Sequence, residues 1–137
     1  MRNLQTTVIR NGGIFSVATQ SNSTKFQSEI LEEAEQLWAL IINPDVSHVT
    51  QICAAMNINH KRLLRLSRQS FGATPKLLLR QQRFERTITA MRARNNRSCG
   101  LHLDPAYVDQ SHFIRDSHKF VGMAPGRYLA QCDQMAA

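Results

Sequence analysis

Apolar residues recur at three- and four-residue spacing along most of this chain, and that period predicts helices. From Phe26 to Ile42 the stripe is Ile30, Leu31, Ala34, Leu37, Trp38 and Ile41, with Glu29, Glu32, Glu33 and Glu35 between them. Early carboxylates suit the positive end of a helix, and Asn43-Pro44-Asp45 ends the pattern. A second helix is predicted over Val46–Met56, with Val49, Ile52, Cys53 and Met56 on one face. Asn57-Ile58-Asn59 breaks it; Asn tolerates the left-handed turn, and Asn59 can cap the helix that follows. That helix, His60–Phe71, turns Leu63 and Leu66 inward and sets Lys61, Leu64, Arg65 and Arg68 on another face, and Gly72 stops it. Thr74-Pro75 opens a long helix to about Arg94, with Thr as cap and Pro in the first turn. After Asn95-Asn96-Arg97-Ser98 come a weak helix from Cys99 to about Pro105, a helix Gln110–Val121 capped by Asp109, and a last helix from Pro125 to about Gln131. Ahead of all this, Val8-Ile9 and Ile14-Phe15 flank Asn11-Gly12-Gly13, so residues 1–25 read as an arm that is either a short hairpin or flexible.

Shifted by 50 residues, the chain partly matches itself: Asn59 meets Asp109, Leu63 meets Phe113, Arg65 meets Arg115, Ser67 meets Ser117, Gly72 meets Gly122 and Pro75 meets Pro125. Two copies are too few for a solenoid. They describe one duplicated module: helix, tight turn, helix, Gly stop, Pro-started helix. A helix pair joined by a tight turn can lay its second helix in the DNA major groove, which is ~12 Å wide and admits one helix. Such a helix needs an apolar inner side and a polar or cationic outer side. His60–Phe71 has both, and Gln110–Val121 has Phe113 and Phe120 inward with Ser111, Arg115 and His118 outward.

Charge strengthens this picture. Lys and Arg outnumber Asp and Glu by 17 to 10, a formal +7 that favours an anionic partner, although a solvated basic surface would give the same count. No apolar run approaches the ~18 residues of a membrane span, and no secretory signal is visible at the N-terminus. Cys53, Cys99 and Cys132 are widely spaced, so buried free thiols are expected rather than a disulfide framework or a zinc site. No cofactor is indicated.

The run Tyr107-Val108-Asp109-Gln110-Ser111-His112-Phe113-Ile114-Arg115, followed by Gly122-Met123-Ala124-Pro125 and Tyr128-Leu129, resembles the signature of the AraC/XylS family of bacterial transcription regulators. Leu63-Leu64-Arg65 through Phe71-Gly72-Ala73-Thr74-Pro75 resembles its first half, and the resemblance covers about residues 30–131. It implies an all-α, seven-helix domain over residues 26–131: a first homeodomain-like helix-turn-helix lobe at about 26–74, a linker helix at about 75–94 and a second lobe at about 95–131, with 132–137 as a tail. It further implies a sequence-specific regulator that binds double-stranded DNA, with one recognition helix in each of two successive major grooves. By position, Lys61, Leu64 and Arg65 would face bases in one groove and Gln110, Ser111 and Arg115 in the other. Arg62 and His112 stand where the family supports the helix or touches phosphate; Arg68, Lys76, Arg83 and His118 are candidate phosphate contacts by sign and placement. Binding as a monomer in the cytoplasm, at the nucleoid, is expected, with RNA polymerase as a further candidate partner. Within 137 residues there is no room for a separate effector domain, so regulation is expected from abundance, a partner or sequence preceding Met1.

The chain departs from the family pattern in places. Ser67 and Ser117 stand where a core Phe is usual; truncating a buried Phe costs ~3–5 kcal/mol, so Phe71, Phe84 and Phe120 are expected to fill in. His102 replaces a small residue, Pro105 lies near a helix end, and Ala106 replaces the turn Gly, where a left-handed Ala would be strained by about 1 kcal/mol. These changes predict that the second lobe is the less stable one. Two rival functions follow from the same residues. Asp109, Ser111 and His112 are triad residue types, but as near neighbours at a helix start rather than a convergent site; with no H-E-x-x-H, P-loop or G-x-G-x-x-G, no enzyme is expected. His112 and Asp116 have the spacing of a metal-holding pair, or of an ordinary surface pair. The other rival is a degenerate family member that binds a protein partner and DNA only weakly.

Overall fold

The computed structural model describes residues 5–10, 13–18, 24–94 and 103–136. A two-stranded antiparallel hairpin, β1 (Gln5–Arg10) and β2 (Gly13–Ala18), pairs Val8 with Phe15 and Ile9 with Ile14. Six helices follow among the described residues: α1 (Thr24–Ile42), α2 (Val49–Met56), α3 (His60–Phe71), α4 (Pro75–Ala93), α5 (Gln110–Val121) and α6 (Pro125–Ala136). The fold is therefore helical with a hairpin arm. It divides into two compact units, Met1–Leu78 and Leu79–Ala137, and the division falls inside α4.

In the first unit, Leu37 and Ile41 of α1, Ile52 of α2 and Leu63 of α3 are fully buried. These are the residues that the three- and four-residue period turns inward. Trp38 packs its ring 5.6 Å from Phe71, which makes it part of the interior of this unit. β2 lies alongside α3. In the second unit the core is Phe84, Ile88, Met91, Tyr107, Phe113 and Leu129. Phe84 sits 5.7 Å from both Phe113 and Phe120, so aromatic bulk missing at Ser117 is supplied by neighbours.

Four boundaries differ from expectation: α1 begins at Thr24, two residues ahead of Phe26 and inside the stretch assigned to the arm. α2 begins at Val49 rather than Val46, because Gln51 Oε1 accepts the backbone N–H of both Ser47 and His48 at 2.9 Å and holds that stretch extended. α6 continues through residues first assigned to a tail: nothing between Cys132 and Ala136 is a Gly or Pro that would stop it. The weak helix from Cys99 lies partly outside the described residues, as do Cys99 and His102 themselves. Its described end is not helical: Leu103 and Asp104 are irregular and Pro105–Ala106 form a turn closed by the Tyr107 N–H donating to the Asp104 carbonyl at 2.9 Å. Asp104 precedes Pro105, which disfavours helix there, and its carboxylate accepts the Ala106 N–H at 3.0 Å.

That turn also removes the strain expected at Ala106. Among the described residues, Asn57 is the one non-glycine with positive φ. Cys53 and Cys132 are free thiols but half-buried rather than buried.

The two Ser residues that replace the usual Phe make the same bond in both units. Ser67 Oγ donates to the Ala73 carbonyl at 2.6 Å, and Ser117 Oγ donates to the Met123 carbonyl at 2.7 Å. Both side chains are fully buried, and each ties its helix to the chain just past the glycine stop. Ser70 is also buried, yet its hydroxyl lacks a partner. Opposite effects of the same substitution are expected. Ser67→Ala or Ser117→Ala should lower stability by about 1 kcal/mol, because a part-buried hydrogen bond is lost, whereas Ser70→Ala should be neutral or stabilising by about 1 kcal/mol. Urea midpoints of the three variants check both signs.

Candidate nucleic-acid interface

α3 and α5 are built by the same local rules. Asn59 Oδ1 accepts the Arg62 N–H at 2.8 Å, and Asp109 Oδ1 accepts the His112 N–H at 2.7 Å. Each bond satisfies a donor that the first helical turn leaves orphaned. At the other end Gly72 (φ 70°) and Gly122 (φ 74°) take the left-handed conformation, and their N–H groups donate to the carbonyls of Arg68 and His118. The 50-residue repeat is thus a repeat of hydrogen bonds, extending to the start of the next helix. There the Leu78 N–H donates to the Thr74 carbonyl and the Tyr128 N–H to the Ala124 carbonyl, both at 3.1 Å.

With Leu63, Leu66 and Ser67 buried on α3, the exposed side carries Lys61, Arg65 and Arg68, with Leu64 half-buried beside them. On α5, Phe113, Asp116 and Ser117 are buried, while Gln110, Ser111, Arg115 and His118 are exposed. Arg115 Nε donates to the Ser111 carbonyl one turn back at 3.3 Å, which lays its guanidinium along the outer face. Lys76, at the start of α4, is exposed. The six residues expected to face bases therefore split three and three onto the two repeated helices.

Three of the expected phosphate contacts have partners inside the protein. Arg62 pairs with Glu33 of α1 and keeps its side chain 58% exposed. Arg83 lies over the Tyr107 ring, 5.2 Å from its centroid. His112 is half-buried and meets the same ring edge-on at 5.3 Å. For Arg62 and His112 this accords with the helix-supporting alternative that the resemblance implied, and for Arg83 it is a structural use that charge and placement alone did not reveal.

The larger surprise is Asp116. Read as a surface partner of His112, it is instead fully buried and held by Arg80 of α4 and by the Tyr107 hydroxyl, which donates to Oδ2 at 3.0 Å. Burial pushes the Tyr107 hydroxyl far above its usual range, and the neighbouring Asp116 charge pushes it further, so it stays a donor. Alongside, Arg86 Nε donates to Asp104 Oδ2 at 2.8 Å, and the Asp104 N–H donates to Thr87 Oγ1 at 3.2 Å. Sequence reasoning missed this cluster. The available signal was the repeat itself, because Asp116 falls at the inward position that Leu66 occupies in the first copy. Asp109 serves as a cap and not as part of a triad, and no group of three potential metal ligands occurs among the described residues. Among the same residues, no helix is long and apolar enough to cross a membrane.

No curated protein and no solved structure matches the chain. A helix-turn-helix domain family matches residues 52–131, which contain α3, α4, α5 and the first turns of α6. That match covers more than half of the chain, carries both capped helices, and agrees with the signature read around Asp109 and Gly122; the chain belongs to the AraC-type helix-turn-helix family of DNA-binding transcription regulators.

Proposed function

We propose that this protein is a sequence-specific double-stranded DNA reader that acts as a monomer, with α3 and α5 entering successive major grooves. The observation that carries the reading is the duplicated helix: the same cap, the same glycine stop and the same buried Ser, each time with a polar or cationic face left exposed. Lys61, Leu64 and Arg65 read one box, and Gln110, Ser111 and Arg115 the other. Arg can pair with guanine O6 and N7, Gln with adenine N6 and N7, and Leu64 can rest on a thymine methyl. Arg68, Lys76 and His118 are exposed and of the right sign to bind phosphates, which orient the protein without carrying sequence information. Arg62, Arg83 and His112 act mainly by holding the two helices in place. Because one chain carries both reading helices, the site needs no palindrome. The protein works where the DNA is, at the nucleoid in the cytoplasm.

Recovery of bound duplexes from a random pool at near-physiological salt tests this. Two short boxes about one helical turn apart are expected. A single box would leave one reading helix without a role, and no enrichment even at low salt would leave a protein-partner module as the better account.

Substitutions on the two kinds of contact should separate cleanly. Arg65→Ala and Arg115→Ala are each expected to lose about 1–3 kcal/mol of discrimination at one position of one box. Lys76→Ala should weaken all duplexes alike and reduce the salt slope by about one. Titrations of matched and single-mismatch duplexes at several salt concentrations give both quantities.

A further inference from the structure

We propose that Asp116, Arg80 and Tyr107 are positioning residues that fix how α5 is turned about its own axis, so that base reading by Gln110, Ser111 and Arg115 depends on a buried ion pair and one phenolic hydroxyl. The inference rests on the DNA-reading function proposed above.

Apolar contact is non-directional, so a helix seated by packing alone has few features that fix its rotation. Hydrogen bonds to a buried carboxylate are directional and shorten its choice of orientations. Asp116 presents one oxygen to Arg80 of α4 and the other to Tyr107, which precedes the α5 cap. Each anchor lies outside α5, and together they grip it in the middle. Tyr107 adds a second kind of hold. Its ring meets His112 edge-on and Phe113 at 5.5 Å, while Arg83 covers it. One side chain thus touches α5 at positions 112, 113 and 116, along its inner side. Arg115 is the next residue before Asp116, about 100° around the helix, so fixing one inward fixes the other outward.

The first copy does without the device. Leu66 stands at the position of Asp116, and Asn57, left-handed, at the position of Tyr107. The polar lock is therefore an addition peculiar to the second reading helix, and its effect should be confined to the second box.

The test uses the full chain. Tyr107→Phe keeps the ring and removes the hydroxyl. Asp116→Leu with Arg80→Leu copies the apolar solution of the first unit, and replacing a buried pair by packed apolar residues is often neutral or stabilising. Wild type and both variants are titrated with a selected duplex and with its single-base variants. Residual dipolar couplings of α4 and α5 amides are measured on the free proteins. The expected result is about tenfold less discrimination in the second box for both variants, unchanged discrimination in the first box, and α5 couplings displaced from the wild-type fit while α4 couplings are not. A merely structural role predicts otherwise: the double Leu variant, once folded, would read both boxes like wild type with unmoved couplings, and that result would overturn the proposal. Should the wild type select no duplex at all, the DNA-reading proposal falls. The couplings still decide the positioning role, displaced α5 values supporting it and unmoved values refuting it.

Discussion

A helix of three turns is marginal in water, because nucleation costs more than so few hydrogen bonds return. α3 and α5 have 12 residues each, so both depend on what happens at their ends and on their inner faces. The Asx side chain at the start and the left-handed glycine at the end satisfy orphaned backbone groups, and the buried Ser ties the helix to the segment beyond its glycine. Most of the outer face is then spared from holding the helix together. On the proposed reading, that freedom leaves Lys61, Arg65, Gln110 and Ser111 available to a partner rather than to stability.

The two copies solve the inner face differently. α3 is seated by Leu63 and Leu66, which need only exclude water. α5 keeps Phe113 at the matching position but replaces the second Leu by Asp116, which brings a charge into a desolvated place. A buried carboxylate is costly unless paired and hydrogen-bonded. Arg80 supplies the opposite charge and Tyr107 a second bond, and both offset the cost of burying Asp116. Removing one partner of such a pair typically costs several kcal/mol, while replacing the whole pair by apolar residues often does not. The lock is therefore a specification of geometry more than a source of stability.

How much of this was legible in the sequence depended on range. The approximate bounds read for α3 and α5, about 60–71 and 110–121, coincide with the observed ones, because Asn59, Gly72, Asp109 and Gly122 mark their ends chemically. The start of α2 was misplaced since its stop signal is a side chain, Gln51, reaching back to Ser47 and His48, and a Gln in a helix gives no such warning. The end of α6 was misplaced because no breaker marks it. At the candidate interface the outward Lys61, Arg65, Arg68, Ser111, Arg115 and His118 followed from the helical period and Gln110 from the family resemblance, whereas the burial of Asp116 followed from neither. Its spacing from His112 suggested a surface pair, and its true partner Arg80 lies 36 residues away, a pairing no local pattern encodes. The same holds for Arg62 with Glu33, 29 residues apart. Strain at Ala106 was expected by analogy with a glycine, but the Asp104 carboxylate turns the chain there without a left-handed residue.

The chemistry of the two outer faces is unequal, and on the proposed reading this divides the work of recognition. α3 offers Lys61, Arg65 and Arg68, three cations around a half-buried Leu64. Such a face draws strongly on counterion release and on guanine. α5 offers the neutral Gln110 and Ser111 at its start, with Arg115 and Lys119 as exposed cations and His118 beside them. Neutral hydrogen bonds of the Gln and Ser kind add little affinity unless their geometry is right. A cationic side chain tolerates a degree of looseness, since charge acts at a distance. A neutral one does not, because a Gln110 amide displaced by an ångström no longer meets both adenine positions. The helix whose readout depends most on orientation is also the one whose rotation is fixed by Asp116, and that correspondence gives a buried charge in so small a core a physical reason to be there.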